Sequence, residues 1–257
     1  MARARRAGVF SLWQEAAPAR PVVTRERLVR EALALLDEVG FDGLTMRRLA
    51  ERLGVRAASL YNHIGDKLEL LALLGDAVCA EVREPDPAAD WRAQLEALAA
   101  DYRRVLLAHR DAARVLQATL PVGPNRLRLV ERTLAILRAA GFDDALVADA
   151  ATVFNVYVLG FVLDETQARP SDLPTAAVAQ FERWFRSLPA ERYPTIASLS
   201  DLLLDADTDR RFVLGLAALL DGFARRLGRA RHGPHRPRPD ARRGAERERP
   251  RASRPRG

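Results

Sequence analysis

The sequence predicts an all-α protein. Apolar residues recur with the 3.6-residue helical period along almost the whole central region. No two neighbouring segments show the alternation of a strand pair, and Gly123-Pro124, Gly141, Pro170, Pro174, Pro189 and Pro194 punctuate the periodic stretches. With 257 residues, 48% hydrophobic and 29% charged, the chain can bury a sizeable core. The helices sort by length into a head of short ones and a larger body of long ones.

Leu28, Ala32, Leu35, Leu36 and Val39 mark one face of the first helix. Thr24 can cap its start and Gly40 its end. Thr45 caps a short second helix with Leu49, Ala50 and Leu53 inward, stopped at Gly54. A third runs from Arg56 to His63. Gly65 and Asp66 break it, and Asp66 with Glu69 caps a fourth, Lys67 to Val82. This head, residues 24–82, is a helix-turn-helix domain: Gly54 allows the tight reversal between the second and third helices. Pro85 and Pro87 separate it from a body, residues 89–228, with helices expected at 89–108, 111–119, 125–140, 143–168, 174–187, 196–204 and 208–228. Residues 1–23, rich in Arg, Ala and Pro, read as a flexible basic arm. Residues 229–257, rich in Arg and Pro, read as a disordered tail.

Charge is distributed unevenly. Residues 229–257 hold 11 Arg against three acids, and residues 1–67 also carry net positive charge, whereas residues 68–228 are net acidic. A front that attracts polyanions is thus joined to a body that repels them. The arginines themselves are weak evidence, because Lys67 is the only lysine and the skew suggests a GC-rich coding sequence. Cys79 is the only cysteine, which excludes an intrachain disulfide and a C-x-x-C site. The opening residues lack the apolar core of a signal peptide, so a cytoplasmic protein is expected. The apolar stretch 145–163 approaches the ~20 residues of a bilayer span. It carries Asp149 and Asn155 and has acidic flanks, so a core or interface helix is expected and no membrane partner.

Packing Leu49, Leu53, Val55 and Leu60 inward leaves Arg56, Ala57, Ala58, Ser59, Tyr61, Asn62 and His63 on the outer side of the third helix. Small residues at its beginning suit close approach to base edges. The polar tips of Ser59, Tyr61, Asn62 and His63 suit phosphate oxygens. Arg47 can reach a guanine in bidentate fashion, with Thr45 beside it. On periodicity alone, a solvated three-helix unit is an equal reading.

Residues 24–82 resemble the amino-terminal domain of the tetracycline-repressor (TetR) family of bacterial transcription factors. The strings that carry the resemblance are Gly-Phe-Asp-Gly-Leu-Thr-Met-Arg-Arg-Leu-Ala-Glu-Arg-Leu-Gly-Val at 40–55, Ser-Leu-Tyr-Asn-His at 59–63, and Lys67. The resemblance implies backbone contacts from Tyr61, His63 and Lys67. It implies base reading at Arg47, Arg56, Ala57 and Ala58, the alanines meeting thymine methyls.

The body resembles the carboxy-terminal domain of the tetracycline-binding branch of that family. It does so through His-Arg-Asp-Ala-Ala-Arg-Val at 109–115, Thr119, Gly141-Phe142, Leu-Gly-Phe-Val-Leu-Asp at 159–164, Phe-Val-Leu-Gly-Leu at 212–216 and Leu-Leu-Asp-Gly at 219–222. This implies a ligand chamber and a homodimer built by a four-helix bundle. The bundle would use helices 143–168 (Val153, Val156, Leu159, Leu163) and 208–228 (Phe212, Leu216, Leu219, Leu220, Phe223). Thr119 is kept, and Asp164 matches an acidic residue near the metal. However, Leu116 replaces the metal-binding His, Leu98 an Asn, Tyr102 a Phe and Thr133 a Gln. A small apolar or amphipathic inducer without metal or other cofactor is therefore expected, with Leu98, Tyr102, Leu116, Gln117, Thr119, Thr133, Phe154, Asn155 and Tyr157 as wall residues. A buried Asn155 or Gln117 would need hydrogen-bond partners, which a ligand could supply.

The function expected is a repressor that leaves double-stranded operator DNA when its ligand binds. The rivals are a helical protein-interaction module and a helical enzyme. Against the enzyme, the sequence has no H-E-x-x-H, G-x-S-x-G or phosphate-loop motif.

Overall fold

The computed structural model describes the backbone of residues 23–167, 174–205 and 207–232. Within these it is all helix and turn. Most of the expected arm and tail therefore lie outside the described residues. The two ends of those segments that are described differ from expectation. Val23 is buried in the head core, and residues 229–232 continue the last helix.

Four helices make the head. α1 is Arg25–Gly43, α2 Met46–Leu53, α3 Ala57–Leu60 and α4 Lys67–Ala80. Thr24, Thr45 and Asp66 cap α1, α2 and α4 by accepting from the backbone N–H of Arg27 (3.2 Å), Arg48 (3.2 Å) and Glu69 (2.8 Å). Glu69 returns the bond by accepting from Gly65 N–H at 2.7 Å, which completes a capping box. Gly40 interrupts α1 at φ 71°. A side chain there would be strained, and it would also meet the Asp111 carboxylate at 3.0 Å. α3 is shorter than the sequence suggests. After Leu60 the chain turns through residues 61–63 with tight bonds such as His63 N–H to Leu60 C=O, 2.9 Å.

The body comprises α5 (Trp91–Ala108), α6 (Ala112–Gln117), α7 (Pro124–Ala139), α8 (Asp144–Gln167), α9 (Thr175–Arg186), α10 (Pro194–Leu204) and α11 (Thr208–His232). Two apolar cores result. Leu28, Leu36, Leu49, Leu53, Leu60 and Leu70 fill the head core, with Val115 inserted from α6. Leu95, Leu98, Tyr102, Phe154, Val158 and Leu220 belong to the body core. α4 serves both, through Leu70, Leu71 and Leu74 at one end and Val78 and Cys79 at the other. It is the stiff member that joins head to body. α8 has the length and apolarity of a membrane span, but Phe154, Val158, Val162 and Leu163 are buried in the body core.

The two helices expected to form the bundle keep part of the expected outward face, Val153 and Val156, and turn the rest inward. Leu159, Leu163, Phe212, Leu216, Leu220 and Phe223 are buried within their own chain. The apolar residues left outside are Val153 and Val156 on α8 and Val213 and Leu214 on α11. The two helices lie close because Gly215 leaves room for Tyr157, whose hydroxyl donates to Phe212 C=O at 2.6 Å.

Asp101 on α5 fastens the segment between α4 and α5. It accepts from Arg83 N–H (2.7 Å), Arg83 Nε (2.8 Å) and Arg104 Nε (2.8 Å). These donors, Arg104 first, hold its carboxyl far below the usual carboxylate range despite burial. A depressed folded-state pKa contributes stability above the unfolded value of about 3.9, and that contribution is lost as pH falls below it. Asp101→Asn should therefore cost roughly 1.5–3 kcal/mol at neutral pH. It should also flatten the loss of stability in acid, as read by denaturant melts between about pH 5 and pH 2.

Candidate DNA-binding face and ligand chamber

Gly54 ends α2 in the left-handed conformation (φ 71°, ψ 29°) and turns the chain into α3. Arg27 Nη2 reaches back to Leu53 C=O at 3.2 Å and holds the end of α2 on α1. Arg52 does the same from the other side, at 3.1 Å from Glu31 and 2.7 Å from Glu38. The turn is thereby fixed, and Leu60 anchors α3 from below. Arg56, Ala57, Ala58, Ser59, Tyr61, Asn62 and His63 are all exposed, Tyr61 by 51%. Thr45 and Arg47 are exposed beside them. Among the described residues Arg47 is engaged only by Glu51, four residues on, at 2.9 Å. An exposed pair of that kind holds little energy and leaves the guanidinium free to swing. Lys67 is half-buried: its Nζ donates to Phe41 C=O at 3.2 Å and lies 5.1 Å from the centre of the Phe41 ring. The ten expected DNA-contacting residues thus fall between the cap of α2 and the start of α4, nine of them exposed, with Lys67 also tying α4 to α1.

The body contains a cavity of about 380 Å³ between α5, α7 and α8, lined by Tyr102, Leu129, Val130, Thr133, Leu134, Ala151, Phe154 and Asn155 among others. Four of the nine expected wall residues therefore meet there: Tyr102, Thr133, Phe154 and Asn155. The other five do not line it. Leu98 and Leu116 are packed into the body core. Thr119 donates to Val115 C=O at 2.9 Å. Gln117 ends α6 and is exposed, and Tyr157 is turned toward α11. Asn155 is exposed at the rim rather than buried. Neither Gln117 nor Asn155 is a buried polar group in need of a partner, since both are exposed. Asp164 is likewise exposed.

Sequence reasoning missed Arg126. It is 8% exposed, lines the cavity, and donates to Thr119 Oγ1 (2.7 Å), Leu120 C=O (3.0 Å) and Leu116 C=O (2.6 Å). A signal was present: Arg126 shares the inward stripe of α7 with Leu129, Thr133 and Leu137. Nearby, burial pushes the Cys79 thiol up to about 12, and the Tyr102 phenol is raised well above its ordinary value for the same reason. Both groups are neutral at pH 7. Among the described residues no cluster of three or more His, Cys, Asp or Glu is arranged to hold a metal.

The head and the chamber are mechanically linked. Asp111, at the start of α6, accepts from Phe41 N–H at 2.7 Å, and Arg110 N–H donates to Asp37 at 2.9 Å. Arg126 grips the far end of α6, and Asp76 on α4 accepts from the N–H groups of Asn125 (2.8 Å) and Arg126 (2.9 Å) on α7.

Comparison with known proteins matches this layout. Residues 28–74 fit the family described as bacterial regulatory proteins of the tetR family, and residues 84–227 fit the tetracyclin repressor-like C-terminal domain. The class A tetracycline repressor from transposon 1721 of Escherichia coli is 38% identical over 202 residues, covering 77% of this chain and 89% of that protein. The Streptomyces coelicolor TetR family protein ActR in complex with actinorhodin superposes with a TM-score of 0.72 at 37% identity, over 80% of this chain and 99% of that one. BioQ with its natural double-stranded DNA operator superposes with a TM-score of 0.57 at 28% identity, over 79% of this chain and 99% of that one. With a helix-turn-helix head and a helical ligand-binding body, this chain belongs to the TetR family of bacterial transcriptional regulators.

Proposed function

We propose that the protein is a homodimeric repressor that occupies operator DNA through the exposed end of α3 and is released when a small apolar or amphipathic molecule fills the chamber. The observation that carries this reading is α4, a single helix packed into both cores, with α6 bonded to the head at one end and to the chamber at the other. A ligand against α7 and α8 acts on that lever. It need only prefer the released state, and about 5.5 kcal/mol of preference turns a 1:99 population into 99:1. DNA and ligand then weaken each other reciprocally. The relatives support both halves: one is a tetracycline repressor, ActR is solved with a small molecule, and BioQ with an operator. This chain offers no His at position 116, and the Leu116 carbonyl is already engaged by Arg126, so its ligand is read as metal-free. On this reading it acts in the cytoplasm and by binding, without turnover.

Footprinting on the intergenic DNA beside its gene tests the proposal. Within that assay, Tyr61→Ala should weaken binding to all sequences alike, whereas Arg47→Ala should cost ~1–3 kcal/mol and relax preference at one base pair. An Arg47→Ala protein with unchanged preference would remove Arg47 from the readers.

A further inference from the structure

Arg126 raises an electrostatic question that the apolar chamber does not answer. A guanidinium buried this far is costly unless its charge is balanced. Its three partners, Thr119 Oγ1, Leu120 C=O and Leu116 C=O, are all neutral. No carboxylate among the described residues forms an ion pair with it within 4.0 Å. Asp76 is the nearby acid, but it accepts from the backbone N–H groups of Asn125 and Arg126 and from the Asn125 amide and makes no direct ion pair with the guanidinium. The other titratable groups packed around it, Tyr102 and Cys79, are held neutral by burial. Of a guanidinium's five N–H donors, the Nε–H and one Nη2–H have no hydrogen-bond partner among the described residues, and two such donors suit the two oxygens of an acid group. The rest of the wall is largely aliphatic and aromatic, with Leu129, Val130, Leu134, Ala151 and Phe154.

We propose that the chamber is built for an organic anion, with an apolar body against α7 and α8 and an acidic head group of the carboxylate or sulfonate kind seated on Arg126. This rests on the ligand-chamber reading above and narrows it. The head group supplies the direct ion-pair partner that no described residue provides. Seated on the guanidinium that also holds Leu116, Thr119 and Leu120, it couples the chamber to the end of α6, whose other end holds the head through Asp111.

Two fluorescent probes of the same shape test the proposal on the full chain: anilinonaphthalene sulfonate, and its uncharged parent phenylnaphthylamine. The anion should bind at least ~10-fold tighter than the parent, as expected for a charge-assisted pair. R126Q should abolish that preference while leaving the parent's affinity in place, and R126K should keep it. T133W, which fills the chamber, should remove the binding of both. Should R126Q not fold, the comparison of the two probes on the unaltered protein and on R126K decides the matter. Equal affinities, a preference that survives R126Q, or anion binding that survives T133W overturns the inference. If the parent binds in the chamber and the anion gains nothing, only the inference falls. If T133W changes neither probe, the ligand-chamber reading falls with it.

Discussion

Replacing Val156 and Leu214 together with glutamate should split the protein into monomers and cost ~100-fold or more in operator affinity. In the single chain these residues are 63% and 65% exposed, and Val153 and Val213 are exposed beside them. Large apolar side chains outward on two neighbouring long helices mark a surface that another protein covers. In a two-fold dimer the same patch meets itself, so each new carboxylate is brought toward its own copy and the repulsion is doubled. Two heads held on one body bind two half-sites ~34–36 Å apart, one turn of DNA. Separate heads lose the effective concentration that the second site would gain, typically a factor of 10²–10⁴. Sedimentation should show the mass halved, and gel shifts the weakened binding. Helical circular dichroism should be unchanged, because neither side chain is used inside its own chain. A double variant that stays dimeric would place the interface elsewhere.

Leu53→Ala should remove DNA binding by another route, through loss of the head itself. Leu53 is fully buried at the end of α2, where the turn into α3 begins. Truncating such a leucine costs ~2–5 kcal/mol, from lost transfer energy and from the cavity left behind. Domains have only about 5–15 kcal/mol to lose. Differential scanning calorimetry should show a marked fall in Tm. Probe binding in the chamber should survive at temperatures where the head has lost its structure, because Leu53 takes no part in the body core. The contrast with Tyr61→Ala is diagnostic: that variant should lose affinity at unchanged Tm. A Leu53→Ala protein with unchanged Tm would mean that the head repacks.

These two residues also show what the sequence made legible. Leu53 lay on a readable stripe with Leu49 and ended at a glycine, and the turn followed from that pattern. The outer face of α3 could be read because its small and polar residues alternate with one deep anchor, Leu60. The bundle face was harder. α8 and α11 are apolar on more than one side, so periodicity does not separate the side facing the core from the side facing out. Leu159 and Leu216 were expected outside and pack inside. The chamber was half legible. Tyr102, Thr133, Phe154 and Asn155 line it, but Gln117 and Tyr157 follow local geometry that composition does not reveal. Arg126 stayed hidden among many arginines. Only the packing of α6, α7 and α4 shows that this one is shut away from water.

Cys79 has a practical consequence. Its thiol is the chain's only one, lies inside the body core and ionises near 12. At neutral pH the buried thiol is held in its protonated, unreactive form. Oxidants and alkylating reagents will therefore pass the folded protein by. A cysteine introduced at Asn62 would take a spin label alone, so the distance between the two heads of a pair can be measured with and without a bound effector on an otherwise native background.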